Sequence, residues 1–223
     1  MAPMRVVIAG GHGKIALILE RLLIQRGDSV AGFIRNPDHI ADLNAVGAEA
    51  LVVDLERASV DDVAAHLDGA DAVVFAAGAG PGSGAARKET VDRDAAILLA
   101  DAAEAAEVRR YAMVSSINAD ADAPHTKDEV FTAYLRAKGA ADDYVRAQEA
   151  LDSTIVRPGH LTNDPGTGLV RIAAHSERGD IPREDVAAVL LAVLDTPATA
   201  GRTFNVVSGN TPITEAVTTS AHE

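Results

Sequence analysis

The chain has no cysteine and no tryptophan, and aromatic residues make up only 3% of its 223 positions. Without a thiol there can be no disulfide framework, no thiolate nucleophile and no Cys-type zinc site. That composition suits a reducing compartment, and a cytoplasmic location is the expectation. So few rings argue against a site built from stacked aromatics, and aliphatic side chains must fill the core. Positive charge is scarce as well: 20 Lys and Arg stand against 33 Asp and Glu, a formal charge of −13. Such a balance argues against general affinity for nucleic acid or anionic membrane. No apolar run reaches bilayer-spanning length, and the segment Met1–Gly10 lacks the layout of a secretory signal. The seven histidines show no HxxxH or comparable spacing, so no metal site is expected. What remains is ordinary globular composition, 48% hydrophobic and 24% charged, enough for a single domain over residues 1–223.

Along the chain, short aliphatic runs alternate with longer charge-studded segments. Strands are expected at Met4–Ala9, Ser29–Ile34, Ala48–Val53, Asp71–Ala77, Val108–Ser115 and Ser153–Val156. Between them lie helical patterns at Lys14–Arg26, His39–Val46, Val60–Leu67, Arg87–Glu107 and Glu129–Ala150. Strands too apolar to have a wet face, separated by helices, predict an α/β fold: a doubly wound parallel sheet of about six or seven strands with helices on both faces. A (β/α)8 barrel alternates similarly but needs about 250 residues. After Pro158 the rhythm weakens. Gly159–Gly168 reads as loop, Pro182–Leu194 as helix and Arg202–Val207 as a last strand, with a frayed tail beyond Val217. Residues 159–217 are expected to form a small cap on the substrate side.

The first strand runs into Gly10-Gly11-His12-Gly13-Lys14-Ile15-Ala16, directly before a helix. A strand, glycine turn and helix start present backbone N–H groups, here over Gly11–Lys14, and a helix dipole to a pyrophosphate. Gly10 would allow the tight turn, Gly13 the approach of phosphate to backbone, and Ala16 close packing of helix on sheet. His12 is expected near the phosphates. Strand two ends in Arg35-Asn36 with no carboxylate to grip the two ribose hydroxyls of NAD(H). A guanidinium there suits the 2′-phosphate of NADP(H), which is the preferred cofactor on this reading. Asp54-Leu55, after strand three, could meet an adenine or simply begin a helix-capping loop.

Taken in order, Gly10–Ile15, Arg35-Asn36-Pro37, Asp54-Leu55, Ala76-Ala77-Gly78, Val114-Ser115-Ser116, Tyr134–Lys138 and Ile155–Gly159 resemble the short-chain dehydrogenase/reductase superfamily. More closely, the chain is similar to its compact atypical branch of NAD(P)H-binding proteins, which includes NmrA-like and biliverdin-reductase-B-like members. The resemblance implies a Rossmann-like sheet and a bound NADP(H). It would set Ala76, Ala77, Gly78 and Ser115 along the cofactor, and Pro158, Gly159, His160 and Leu161 near the nicotinamide carboxamide. Tyr134 and Lys138 are four apart on a helical pattern and so share a face. In superfamily members that reduce carbonyls, such a pair works with a serine after strand five, here Ser116 or Ser115. A phenol of pKa about 10 is a poor proton donor–acceptor at neutral pH unless an ammonium stabilises its phenolate. Lys138 could do so while holding the nicotinamide ribose; His160 and the loop to Thr167 would form the substrate wall, with His160 either simply lining the pocket or donating a proton in place of Tyr134. The Gly78–Gly84 segment is either a mobile flap or a permissive loop.

These residues point first to an NADP(H)-dependent oxidoreductase acting on a small carbonyl, quinone-like or flavin-like acceptor. An NADP(H)-binding sensor without turnover, working through a protein partner, is the alternative. A sugar-nucleotide epimerase or dehydratase comes third, because about 65 residues after Pro158 leave little room for a substrate domain.

Overall fold

The computed structural model describes residues 2–80, 82–173 and 178–222. Strand β1 (Arg5–Ala9) lies at the centre of the sheet because Val6, Val7, Ile8 and Ala9 all lose their contact with water. Side chains alternate across a strand, so Val6 and Ile8 enter one hydrophobic cluster while Val7 and Ala9 enter the other. The first cluster is closed by α1 (Lys14–Arg26), α2 (Ile40–Val46), α7 (Arg183–Leu194) and α8 (Ile213–Ser220). The second is closed by α3 (Val60–Ala65), α5 (Ala95–Ala105) and α6 (Glu129–Ala147). Helices on both faces follow from a strand that is apolar at every position.

β1 pairs in parallel with β2 (Ser29–Ile34) on one side and β4 (Ala72–Phe75) on the other. β3 (Glu49–Val52) extends the β2 side; β5 (Arg110–Val114), β6 (Asp152–Pro158) and β10 (Arg202–Ser208) extend the β4 side. The parallel part is therefore ordered β3-β2-β1-β4-β5-β6-β10, a Rossmann-like arrangement. Connections leave β1 and β4 toward opposite faces, which opens a crevice at their C-terminal ends, where doubly wound sheets bind ligands.

Several expectations need correction. The helix expected over Arg87–Glu107 is three pieces: α4 (Ala85–Arg87), a π-helical segment Lys88–Asp94, and α5. The wider turn buries Lys88, Val91 and Asp92 together, a feature often met at functional sites. The loop expected at Gly159–Gly168 contains β7 (His160–Thr162), paired in parallel with β9 (Asp180–Pro182). The sheet also gains two strands beyond β10: β8 (Leu169–Ala173), antiparallel to β10, and β11 (Thr211–Pro212), antiparallel to β8 at the edge, for nine in all. As far as His222 the tail is not frayed; Glu223 lies outside the described residues. α8 buries Ile213, Ala216 and Val217 against the first core, and Arg202 holds the carbonyl of Ala221 at 3.1 Å.

Candidate functional site

The turn after β1 is shaped by contact with the turn after β4. Gly10 is left-handed at φ +80°, and a Cβ there would meet Ala77 at 2.6 Å, so glycine is required on both counts. The N–H of Gly11 bonds to the Phe33 carbonyl at 2.9 Å, and that of Gly13 to the Gly10 carbonyl at 2.8 Å. Two of the donors expected to face a phosphate are thus committed inside the turn. The start of α1 is different: Gly13 caps the helix without any side-chain hydrogen bond, which leaves the helix start for a ligand anion. Ile15 sends its side chain into the core, Ala16 is fully buried on the sheet, and Lys14 reaches out to Asn163 at 3.4 Å.

A cavity of about 300 Å³ opens beside this turn. It is lined by Gly10, His12 and Gly13, by Arg35 and Asn36 after β2, by Asp54 and Leu55 after β3, and by Ala76, Ala77 and Gly78 after β4. The structure therefore brings together nominated residues from four separate strand ends, whereas Gly11, Lys14 and Ile15, nominated with them, do not line the cavity. Their roles in the turn geometry are now specific. Asn36 accepts the Asp38 N–H at 3.1 Å and caps a short 3-10 turn, Pro37–His39. Asp54 accepts the Glu56 N–H at 3.1 Å and so turns the chain after β3 back into the cavity. His12 stacks on His39 with ring centroids 3.5 Å apart, and its Nε2 lies 2.8 Å from Asp42.

Sequence reasoning missed the rest of the cavity lining. Phe33, Ile34, Val53, Val91 and Ala95 supply an apolar lining, and His39, Glu56 and Arg87 add charge or polarity. Glu56 accepts from Arg35 Nη1 and Arg87 Nη2, both at 2.8 Å, and from the Thr90 hydroxyl at 2.7 Å. The Arg87 hydrogen bond, with help from Thr90 and Arg35, holds the Glu56 carboxyl below its ordinary range. No local signal marks the Arg87–Glu56 pair, whose members are 31 residues apart in sequence. Donors at a helix start and apolar walls fit the pyrophosphate and adenine parts of a dinucleotide.

The nominated proton relay is organised otherwise than its spacing suggests. Lys138 is 3% exposed, donates to the Val114 carbonyl at 3.0 Å and lies 3.4 Å from the Asp92 carboxylate. The ammonium beside Tyr134 belongs instead to Lys88, whose Nζ sits 5.3 Å from the Tyr134 ring centroid and bonds to the Gly80 carbonyl at 3.0 Å. Among the described residues the Tyr134 hydroxyl has no hydrogen-bond partner, while its ring packs on Phe131. Asp92 also accepts the Ala79 N–H at 3.2 Å. The side-chain-poor segment after β4 (Pro81 lies outside the described residues) is thus tied down by Asp92 and Lys88.

Ser116 donates to the Ile117 carbonyl at 3.2 Å; Ser115 is buried and faces Asp142. Asp142 pairs with Arg157 at 2.7 Å, yet burial raises its carboxyl above the usual range. Pro158, Gly159, His160 and Leu161 do not line the cavity. The N–H groups of Gly159 and His160 are given to the carbonyls of Val206 and Gly179, both at 2.9 Å, so neither is left for a carboxamide. The His160 ring is largely exposed beside Asp180.

A family model described as NAD(P)H-binding matches residues 10–197, a span that runs from the glycine turn through α7. The chain belongs to this NAD(P)H-binding family. It is 38% identical over 218 residues to an uncharacterized sugar epimerase, YhfK, of Bacillus subtilis, across 96% of this chain and 99% of that one. A Bacillus halodurans structure provisionally described as an NAD-dependent epimerase/dehydratase superposes with a TM-score of 0.87 at 37% identity, covering 96% of this chain and 98% of that one. The oxidoreductase ylbE of Lactococcus lactis superposes at 0.86 with 26% identity, over 99% and 98% of the two chains. Among the described residues no helix is long and apolar enough to cross a membrane, and no group of three or more acidic or imidazole side chains is placed to hold a metal.

Proposed function

We propose that this protein is an NADPH-dependent oxidoreductase that reduces a small carbonyl, quinone-like or flavin-like acceptor in the cytoplasm. One observation carries the reading: an uncapped helix start, apolar walls and two arginines share one cavity at the crevice of a doubly wound sheet. The arginines, with no acidic residue ending β2, support the phosphorylated cofactor over NAD(H). When bound, the reduced nicotinamide supplies a hydride. On this reading Tyr134 gives its phenolic proton to the acceptor oxygen, and the Lys88 ammonium above its ring offers the phenolate a counter-charge. Lys138 serves as a buried tie between α6, the end of β5 and Asp92. Ser116 and the stretch from Pro158 to Leu161 border the acceptor side.

Two other readings have observations in their favour. Commitment of the Lys138 ammonium to protein groups favours a sensor that binds NADP(H) and signals to a protein partner. The descriptions of the two Bacillus relatives favour an epimerase, which would leave the cofactor unchanged overall. NADPH oxidation across a panel of carbonyl, quinone and flavin acceptors, with an NADP(H) binding titration and a sugar-nucleotide interconversion assay alongside, separates the three. The expected result is turnover that falls 10²- to 10⁴-fold, roughly, in Tyr134→Phe and also falls in Lys88→Met. Equal turnover in wild type and both variants removes the proposed relay. Tight NADP(H) binding with no oxidation on any acceptor turns the assignment to the sensor, and interconversion of sugar nucleotides without net oxidation turns it to the epimerase.

A further inference from the structure

The arginine pair in the cavity is already neutralised in part by the chain itself. Glu56 Oε2 takes one hydrogen bond from each guanidinium at 2.8 Å, and Oε1 takes the Thr90 hydroxyl at 2.7 Å, with Arg87 Nε at 3.5 Å. All three charged side chains line the cavity. Two oxygens of one anion, held between two guanidiniums and a hydroxyl, reproduce the contacts that a phosphate group on the adenosine ribose would seek. The Asp54 turn fixes the backbone that delivers this carboxylate, while the Arg35 side chain stays more than half exposed.

We propose that Glu56 is a built-in anion occupying the bay between Arg35 and Arg87, and that its displacement sets how strongly the site prefers NADP(H) over NAD(H). The inference rests on the reading that this cavity holds the adenosine half of the cofactor. A 2′-phosphate entering the bay takes over hydrogen bonds from Arg35 and Arg87, and the Glu56 side chain swings toward solvent. A cofactor without that phosphate leaves the Glu56–arginine cluster intact. The carboxylate thus opposes the phosphorylated cofactor twice, by holding its donors and by like-charge repulsion.

The test is calorimetric titration of the full chain with NADP⁺, NAD⁺ and adenosine 2′,5′-bisphosphate, in wild type, Glu56→Gln and Arg87→Gln. With the carboxylate neutralised, the ratio of NADP⁺ to NAD⁺ affinity is expected to rise by about tenfold, with a parallel gain for the bisphosphate that shrinks at high salt. Arg87→Gln is expected to lower the same ratio. A lower ratio in Glu56→Gln overturns the inference by making Glu56 a support that positions the arginines. A ratio raised only because NAD⁺ binding is lost overturns it by making Glu56 a ribose ligand. In both cases the cofactor reading survives. If wild type binds none of the three probes, the cofactor reading fails and the inference falls with it.

Discussion

Glu20 offers the sharpest energetic test of this fold. It lies on α1 with no exposed surface, and neither carboxylate oxygen has a hydrogen-bond partner. Its neighbours are the backbones of the glycine turn and β2: a Cβ on Gly11 would meet Oε1 at 3.0 Å, and one on Gly32 would meet it at 2.7 Å. Burial raises its carboxyl from the ordinary 4.5 to about 8. The native carboxyl keeps its proton up to that pH, whereas the unfolded one releases it near 4.5. Stability from this group is therefore fully present below pH 4.5, falls as the pH rises, and levels off above about 8. The interval is roughly 3.5 pH units at about 1.4 kcal/mol each, an upper limit of roughly 5 kcal/mol; relaxation around the charged form reduces it, to about 2–4 kcal/mol. Glu20→Gln removes the titration and leaves a pH-independent offset. Urea unfolding of both proteins at pH 5, 7 and 9 reads the difference directly. The variant should gain on wild type by that amount between pH 5 and 9. A difference that stays flat across the range would refute a buried, proton-retaining Glu20.

Two further substitutions probe packing around the site. Gly139→Ala improves helix propensity on paper, but the new Cβ would lie 2.2 Å from the Ala121 nitrogen and the Asp120 carbonyl carbon, both backbone. A loss of roughly 1–3 kcal/mol is expected, lowering the thermal midpoint by several degrees, and an unchanged or higher midpoint would contradict the close approach. Lys138→Met leaves Asp92 buried without its cation and should cost about 3–5 kcal/mol in urea unfolding. Adding Asp92→Asn should recover part of that loss, whereas strictly additive losses would mean that the two groups do not interact.

Much of the fold was legible because its signals are local. A short apolar run such as Val6–Ala9, stopped by glycines, reads as a strand buried on both faces, and Gly10–Gly13 before a helical pattern reads as a turn into a helix start. The antiparallel strands beyond β10 were not legible: Leu169–Ala173 has no consistent alternation, and its place is set by pairing with β10 some thirty residues later. The π-helical turn was equally silent, since Lys88–Asp94 reads as ordinary helix until Asp92 meets Ala79 and Lys138.

The same division runs through the site. Each nominated cavity residue sits at a strand end where the local pattern already marks a turn, so sequence alone determined that Gly10, Arg35, Asp54 and Ala77 lie on one rim of a doubly wound sheet. Which ammonium accompanies Tyr134, and which carboxylate faces Arg35, was decided only by tertiary structure. Helical spacing offers Lys138 to Tyr134, but the buried Asp92 and the Val114 carbonyl claim that ammonium, and Lys88 from another element takes the place beside the ring. Charges find their partners through space, in a low-dielectric interior where an unpaired one is costly, and no local pattern in the chain records that choice.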